Sequence, residues 1–245
     1  MKRLFFFANC LLVPFVASAA VSTPFETDII ETSAGTLKIT FVGHGSLMMT
    51  HGDNVIHIDP VAAEGDYTAM PKATLILITH EHGDHLDPAV IKLLRTTNTA
   101  VVVSRSCAGA ITNATVMNNG DVKTLCGVKI EAVPAYNIKH MRSPGQPFHP
   151  KGNGNGYILS FGNTRVYIAG DTENTPEMKA LKDITIAFLP MNLPYTMTSA
   201  MVADAVKAFR PRILYPYHYG ATDTSTLVTL LQDEPGIEVR IRDLR

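Results

Sequence analysis

The sequence predicts an α/β (α+β) domain of mixed β-sheets covered by helices, and three observations carry that expectation. Strand-like and helix-like runs alternate through the middle and the end of the chain. Hairpin patterns open each half. No linker and no internal repeat breaks the 245 residues, which are ample for a substantial core.

The elements follow in order. Leu37 to Val42, Ser46 to Thr50 and Asn54 to Ile58 read as an opening meander, with Gly52-Asp53 turning between the last two. Ala73 to Ile78 is a short apolar run, the signature of a buried strand. Asp87 at the N-cap and Pro88 at the first helical position start a helix that runs to about Arg95. Ala100 to Val103 is a further strand, followed by a short Ala-rich helix near Ser106 to Thr112. Val128 to Val133 precedes a hairpin of Tyr157 to Phe161 and Arg165 to Ala169, turning at Gly162-Asn163. Ile184 to Leu189 is a buried strand. Thr198 or Ser199 caps a helix to Phe209. Ile213 to Tyr217, a helix from about Thr224 to Leu231, and Ile237 to Ile241 complete the chain. Pro134 to Asn155, rich in Gly, Pro and Asn, reads as one long loop, and loops of that length are often functional.

The first residues have another character. Met1-Lys2-Arg3 is a positive start, Leu4 to Ala17 is almost wholly apolar, and Ala17-Ser18-Ala19 offers small residues for cleavage. That order predicts a secretory signal peptide over 1–19, a single domain over 20–245, and a periplasmic or secreted protein. A stable membrane anchor is disfavoured: the apolar stretch is short for a span of ~20 residues, and Pro14 interrupts it. Asn9 is a poor neighbour for lipidation at Cys10. Cleavage would lower the basic count from 21 to 19 against 22 acids, a net charge of −3. With no Lys/Arg-rich tract, nucleic acid is not an expected partner. No pattern specifies an oligomer. Cys107 and Cys126 read as separate thiols, although an oxidising compartment would let them pair.

The chemistry concentrates in Thr79-His80-Glu81-His82-Gly83-Asp84-His85, immediately after the buried run at 73–78. Side chains alternate before Gly83 bends the backbone. His80 and His82 can then converge on one cation while Asp84 and His85 face another. Imidazole and carboxylate are ligands that Zn²⁺ prefers. Four such groups in six residues are costly to explain as packing, because buried polar groups need partners. Asp59, Asp171 and His218 each follow another apolar strand, so several strand ends point to one site.

These motifs, Ile58-Asp59-Pro60, the His80 to His85 cluster, Gly170-Asp171-Thr172 and Tyr217-His218, resemble the metallo-β-lactamase fold superfamily of metal-dependent hydrolases. They stand in family order over about residues 37 to 220. Val42 to Ser46 and Pro190 to Met197 further resemble the branch of L-ascorbate-6-phosphate lactonase-like and N-acylphosphatidylethanolamine phospholipase D-like proteins. The resemblance implies an αββα sandwich with metals at the strand ends. It implies His80 and His82 at one metal, Asp84, His85 and His218 at the second, Asp171 between them, and Asp59 behind the ligands as an orienting acceptor. The third histidine of the first metal departs from the family's pattern. Asn137 stands near the expected place and is a poor zinc ligand, which leaves His149, with His140 as the alternative.

The resemblance implies hydrolysis of an ester, lactone, amide or phosphodiester bond in a small molecule by a hydroxide held between two divalent ions. Zinc is expected, with manganese or iron as alternatives. Asp84 is the expected proton shuttle, and His44, Asn192 and Tyr195 are candidates to contact substrate. The competing expectation is a periplasmic metal- or ligand-binding protein of the same fold without catalysis. A di-iron oxidoreductase is disfavoured because that use prefers a carboxylate where His82 stands.

Overall fold

The structure is a computed structural model and describes residues 25–245, so the leader expected at 1–19 lies outside the described residues. The first sheet holds β1 (Thr27–Thr32), β2 (Gly35–Gly43), β3 (Ser46–His51), β4 (Asn54–Ile58), β5 (Leu75–Ile78), β6 (Ala100–Ser104) and β7 (Thr115–Met117), in chain order. β1 to β4 form an antiparallel meander, and β4 to β7 run parallel. Helix α1 (Pro88–Leu94) makes the crossover from β5 to β6.

The second sheet holds β8 (Val122–Leu125) and β9 (Val128–Ala135), skips a small hairpin of β10 (Met141–Ser143) and β11 (Gln146–Pro147), and resumes with β12 (Gly154–Phe161) and β13 (Thr164–Ile168). After α2 (Pro176–Lys179) come β14 (Ile186–Pro190), α3 (Ser199–Phe209), β15 (Ile213–Tyr217), α4 (Ser225–Leu231) and β16 (Glu238–Val239). β8, β9, β12 and β13 are antiparallel, whereas β13 to β16 are parallel. Each sheet is therefore mixed.

The core explains the layering. Leu37, Ile39 and Phe41 alternate along β2 and are buried between the sheets, where the Phe41 ring meets Tyr215 of β15 at 5.1 Å and Phe188 of β14 at 6.4 Å. β5 and β6 are apolar at successive positions because both of their faces are covered. Leu75, Leu77 and Val102 belong to the inter-sheet core, while Ile76, Ile78, Val101 and Val103 pack with Val90, Ile91 and Leu94 of α1. On the other side the Tyr167 ring of β13 meets Phe209 of α3 edge-on. The result is an αββα sandwich.

Several local expectations are corrected. The Ala-rich stretch at 106–112 makes only a 3₁₀ turn, Arg105–Cys107, because Gly109 adopts φ 87° and Asn113 φ 57°, neither of which continues a helix. The segment from 134 to 155 is not one loop. β9 extends to Ala135, β12 begins at Gly154, and the β10–β11 hairpin lies between them. Pro144-Gly145, with Gly145 at φ 74°, turns that hairpin. The last strand pairs only at Glu238 and Val239. Cys107 is buried, Cys126 is exposed, and both thiols are free. No helix among the described residues is long and apolar enough to cross a membrane.

Candidate metal centre

Three of the residues at the strand ends hold left-handed backbone: His44 after β2 (φ 47°), Asp59 after β4 (φ 43°) and His218 after β15 (φ 49°). Non-glycine residues rarely stay there unless their surroundings fix them, and such strain collects at functional sites. The conformation turns each chain sharply past the sheet edge, toward the groove between the sheets. Gly170 precedes Asp171 for a related reason. Its φ is 64°, and a Cβ there would come within 2.8 Å of the Asn155 carbonyl oxygen.

The 80–85 segment is shaped differently from the sequence expectation. Gly83 has no left-handed conformation, and a Cβ there would touch nothing within 4 Å. The bend is made instead by the His82 carbonyl, which accepts from the N–H groups of His85 (3.0 Å) and Leu86 (2.9 Å).

Asp59 organises the histidines from behind. Fully buried, it accepts from the Thr79 N–H (2.8 Å), the Thr79 hydroxyl (2.6 Å) and His85 Nδ1 (2.8 Å). The Thr79 hydroxyl proton is thus committed to Asp59, so its oxygen accepts from His80 Nδ1 at 3.0 Å. Both imidazoles carry a proton on Nδ1, which turns their Nε2 atoms forward.

Forward lie three groups of ligand atoms, each group within 4.8 Å: His80, His82 and His149; His80, His85 and Asp171; and His44, Asp84, His85 and His218. His149 Nε2 is 3.2 Å from His82 Nδ1 and 3.4 Å from Asp171 Oδ2. His80 Nε2 is 3.1 Å from His82 Nδ1. Asp171 reaches both ends, with Oδ2 3.4 Å from His149 Nε2 and 3.3 Å from His218 Nε2, and Oδ1 3.4 Å from His85 Nε2. His140 turns away, its Nδ1 bonded to Glu173 at 2.8 Å, and belongs to none of these groups.

His149 owes its orientation to two residues that sequence reasoning did not assign. Glu173 is buried and accepts from the N–H groups of Ile138, Lys139 and His140, from His140 Nδ1 and from the Asn137 amide (3.2 Å). A carboxylate held by this many donors can only accept, so the Asn137 NH₂ faces it and Asn137 Oδ1 faces the other way. That oxygen accepts from the His149 N–H (2.8 Å) and from His149 Nδ1 (2.7 Å). The His149 proton is therefore on Nδ1, and its Nε2 lone pair points to His82 and Asp171. The Asn137 amide also donates to the Tyr195 carbonyl at 2.8 Å, which ties the loop at 191–197 to the same point.

The electrostatics match a cation site. Burial opposes charge on His85, yet Asp171 and Asp59 beside it raise its pKa to about 9. Burial alone would raise the Asp171 pKa, but His218 and His85 hold it well below the usual carboxylate range. Burial together with the neighbouring His85 depresses His80. Buried acids here require positive charge close by. His85 Nε2, Asp171 Oδ1 and both ring nitrogens of His218 are buried with no hydrogen-bond partner among the described residues. Orphaned buried polar atoms are costly, and divalent ions would satisfy His85 Nε2, Asp171 Oδ1 and His218 Nε2, the His218 nitrogen that faces Asp84 and Asp171. The donor set, imidazole with carboxylate, fits zinc, manganese or iron.

Asp84 is the most open of these groups, with 47% of its side chain exposed, and faces a cavity of about 600 Å³. His44 Nε2 lies 3.3 Å from Asp84 Oδ2, and His44 Nδ1 lies 3.1 Å from the Arg245 main-chain oxygen. Burial lowers the His44 pKa, but these two acceptors leave it raised overall. Both nitrogens then donate, as in an imidazolium. Asn192 and Tyr195 line the same cavity, with Tyr195 set edge-on to Phe148 at 5.1 Å.

The chain's relatives are described as metal-dependent hydrolases. The family profile described as "Beta-lactamase superfamily domain" matches residues 38–218. A UPF0173 metal-dependent hydrolase of Thermococcus onnurineus is 34% identical over 201 residues, spanning 75% of this chain and 84% of that protein. The crystal structure of a Parabacteroides distasonis protein, provisionally described as a metal-dependent hydrolase, superposes with a TM-score of 0.86 at 51% identity, covering 90% of this chain and 100% of that one. Igni18, a metallo hydrolase of Ignicoccus hospitalis, shares the fold with a TM-score of 0.70 at 24% identity over 85% of this chain and 95% of that one.

Proposed function

The chain belongs to the beta-lactamase superfamily as a metal-dependent hydrolase, and from that premise we propose that it cleaves an ester, lactone, amide or phosphodiester bond of a small molecule at a two-metal site. The observation that carries this reading is Asp171, whose carboxylate lies 3.4 Å from His149 in one ligand group and 3.3 Å from His218 in the other, beside buried polar atoms that have no hydrogen-bond partner among the described residues. His80, His82 and His149 would hold one ion, Asp84, His85 and His218 the other, with Asp171 between them. Zinc suits this donor set best. Bound there, two divalent ions would lower the pKa of a water toward ~7 and polarise the bond under attack.

The chain's own residues do the rest. Asp84, open to the cavity and beside His44, orients the attacking water and takes its proton. His44 holds that carboxylate in place and keeps it charged. Asp59, directly at His85 and through Thr79 at His80, fixes the histidine tautomers, as an acceptor behind a ligand must. Asn192 and Tyr195 line the substrate's approach. The leader at 1–19 would place this activity in the periplasm or outside the cell.

Elemental analysis after gentle purification, paired with turnover of generic ester and phosphodiester substrates, tests the reading. The expected result is about two transition-metal ions per chain, with activity lost on chelation and restored by zinc or manganese. A stoichiometry of one that added metal does not change would overturn the two-metal assignment. N-terminal sequencing of the exported protein should begin at or near Ala20, and an intact Met1 in that fraction would refute cleavage.

A further inference from the structure

The cavity over the centre carries a side-chain cation that the described residues leave unpaired. Arg165, Arg210, Arg240 and Arg242 are each tied to a carboxylate. Arg142, on β10, lines the cavity, and its guanidinium makes no hydrogen bond or ion pair among the described residues; it lies over the Phe148 ring at 5.8 Å. The acids lining the same cavity are Asp84 and Asp171, and both are engaged by histidines of the centre. Among the described residues no carboxylate answers Arg142.

The position is built. A two-stranded hairpin alone is marginally stable, but Glu173 anchors the base of this one through the N–H groups of Ile138, Lys139 and His140. Phe148 precedes His149, whose backbone and ring are both fixed by Asn137. Tyr195, packed on Phe148, is held through its carbonyl by the same Asn137. One anchored network therefore sets the hairpin that carries Arg142, together with an aromatic platform, beside the candidate metal ligands. Met141 and Leu193 add exposed apolar surface close in sequence to these rim residues.

A guanidinium fork recognises carboxylate or phosphate with paired hydrogen bonds, and an aromatic face beneath it accepts a flat apolar body. The volume is that of a small-molecule pocket. Resting on the hydrolase reading above, we infer that the substrate is an amphiphilic anion. Its carboxylate or phosphate meets Arg142, its flat apolar body lies on Phe148 and Tyr195, and its scissile bond reaches the metal centre.

The test uses the metal-loaded full chain with three matched esters: the acetyl ester of para-hydroxybenzoate, the acetyl ester of para-hydroxyphenyl phosphate, and the uncharged methyl ester of the first. For at least one anion kcat/KM should exceed that of the neutral ester by roughly ten- to a hundred-fold, mainly through KM, the range of a hydrogen bond to a charged group. The better anion tells carboxylate from phosphate. Arg142→Gln should abolish the preference, Arg142→Lys should keep part of it, and Arg142→Glu should reverse it. A neutral ester turned over as well as both anions, or a preference unchanged in Arg142→Gln, overturns the inference. If no ester is turned over, the hydrolase reading is what suffers. Calorimetric binding of the three corresponding phenols then decides the anion site: anion affinity should fall by the same factor in Arg142→Gln, and equal affinity in both proteins overturns it.

Discussion

Replacing Asn137 with leucine removes the group that decides which nitrogen of His149 carries the proton. Leucine is close in volume but offers no polar atom. The His149 N–H and Nδ1–H lose acceptors at 2.8 and 2.7 Å, and the Tyr195 carbonyl loses a donor at 2.8 Å. Glu173 keeps its four remaining donors. An orphaned buried donor costs about 1–3 kcal/mol, and His149 is 6% exposed, so two of them should destabilise the fold by about 3 kcal/mol. Loss of an orienting partner behind a metal-bound histidine typically lowers affinity by about 10- to 100-fold. We therefore expect chelator competition to show one ion weakened by that factor and the other little changed. Nitrogen-15 NMR of the metal-free protein should show His149 passing from one tautomer, protonated on Nδ1, to a mixture. Asn137→Asp keeps the acceptor but sets a second carboxylate where the amide nitrogen lay 3.2 Å from Glu173. One of the pair must then hold a proton, with its folded-state pKa raised, so this variant should lose stability as pH rises. Unchanged affinity for both ions in Asn137→Leu, with His149 still protonated on Nδ1 alone, would refute the reasoning.

The remaining predictions are shorter. Asp171→Ala should weaken both ions because Asp171 reaches both ligand groups, whereas His218→Ala should empty mainly one; metal stoichiometry under dialysis distinguishes them. Gly45→Ala should displace His85, since a Cβ there would come within 2.7 Å of a ring that Asp59 holds fast, and it should lower metal occupancy without unfolding the domain. His57 is buried and bonded to the Pro71 carbonyl, and burial lowers its pKa to about 4. Because the folded state refuses a proton that the unfolded chain accepts below about pH 6.5, stability should fall from there to about pH 4, by about 3 kcal/mol in total. Urea unfolding of chelated protein should show that slope, and His57→Gln, which can still donate to Pro71, should remove it.

What was legible in the sequence follows from how local the causes are. β5 and β6 could be read because strands covered on both faces are apolar at every position, and α1 because Asp87 and Pro88 are a local start signal. β1 was missed because it is an edge strand, half exposed along its length, whose identity depends on pairing with β2. The β10–β11 hairpin carries a Pro-Gly turn signal, but its strands of three and two residues are too short to show a strand period. In the centre, the cluster at 80–85 could be read because its candidate ligands crowd into six residues. The geometry of its third histidine could not, since it rests on contacts across 12 and 36 residues. Asn137 as read in the sequence looked like a failed ligand. In the fold its amide is the group the position requires: it must donate to Glu173 and accept from His149 at once, which neither a histidine, a carboxylate nor an apolar side chain there could do in the same geometry. The asparagine and the later histidine thus form one unit, in which Asn137 holds His149 with its Nε2 toward His82 and Asp171.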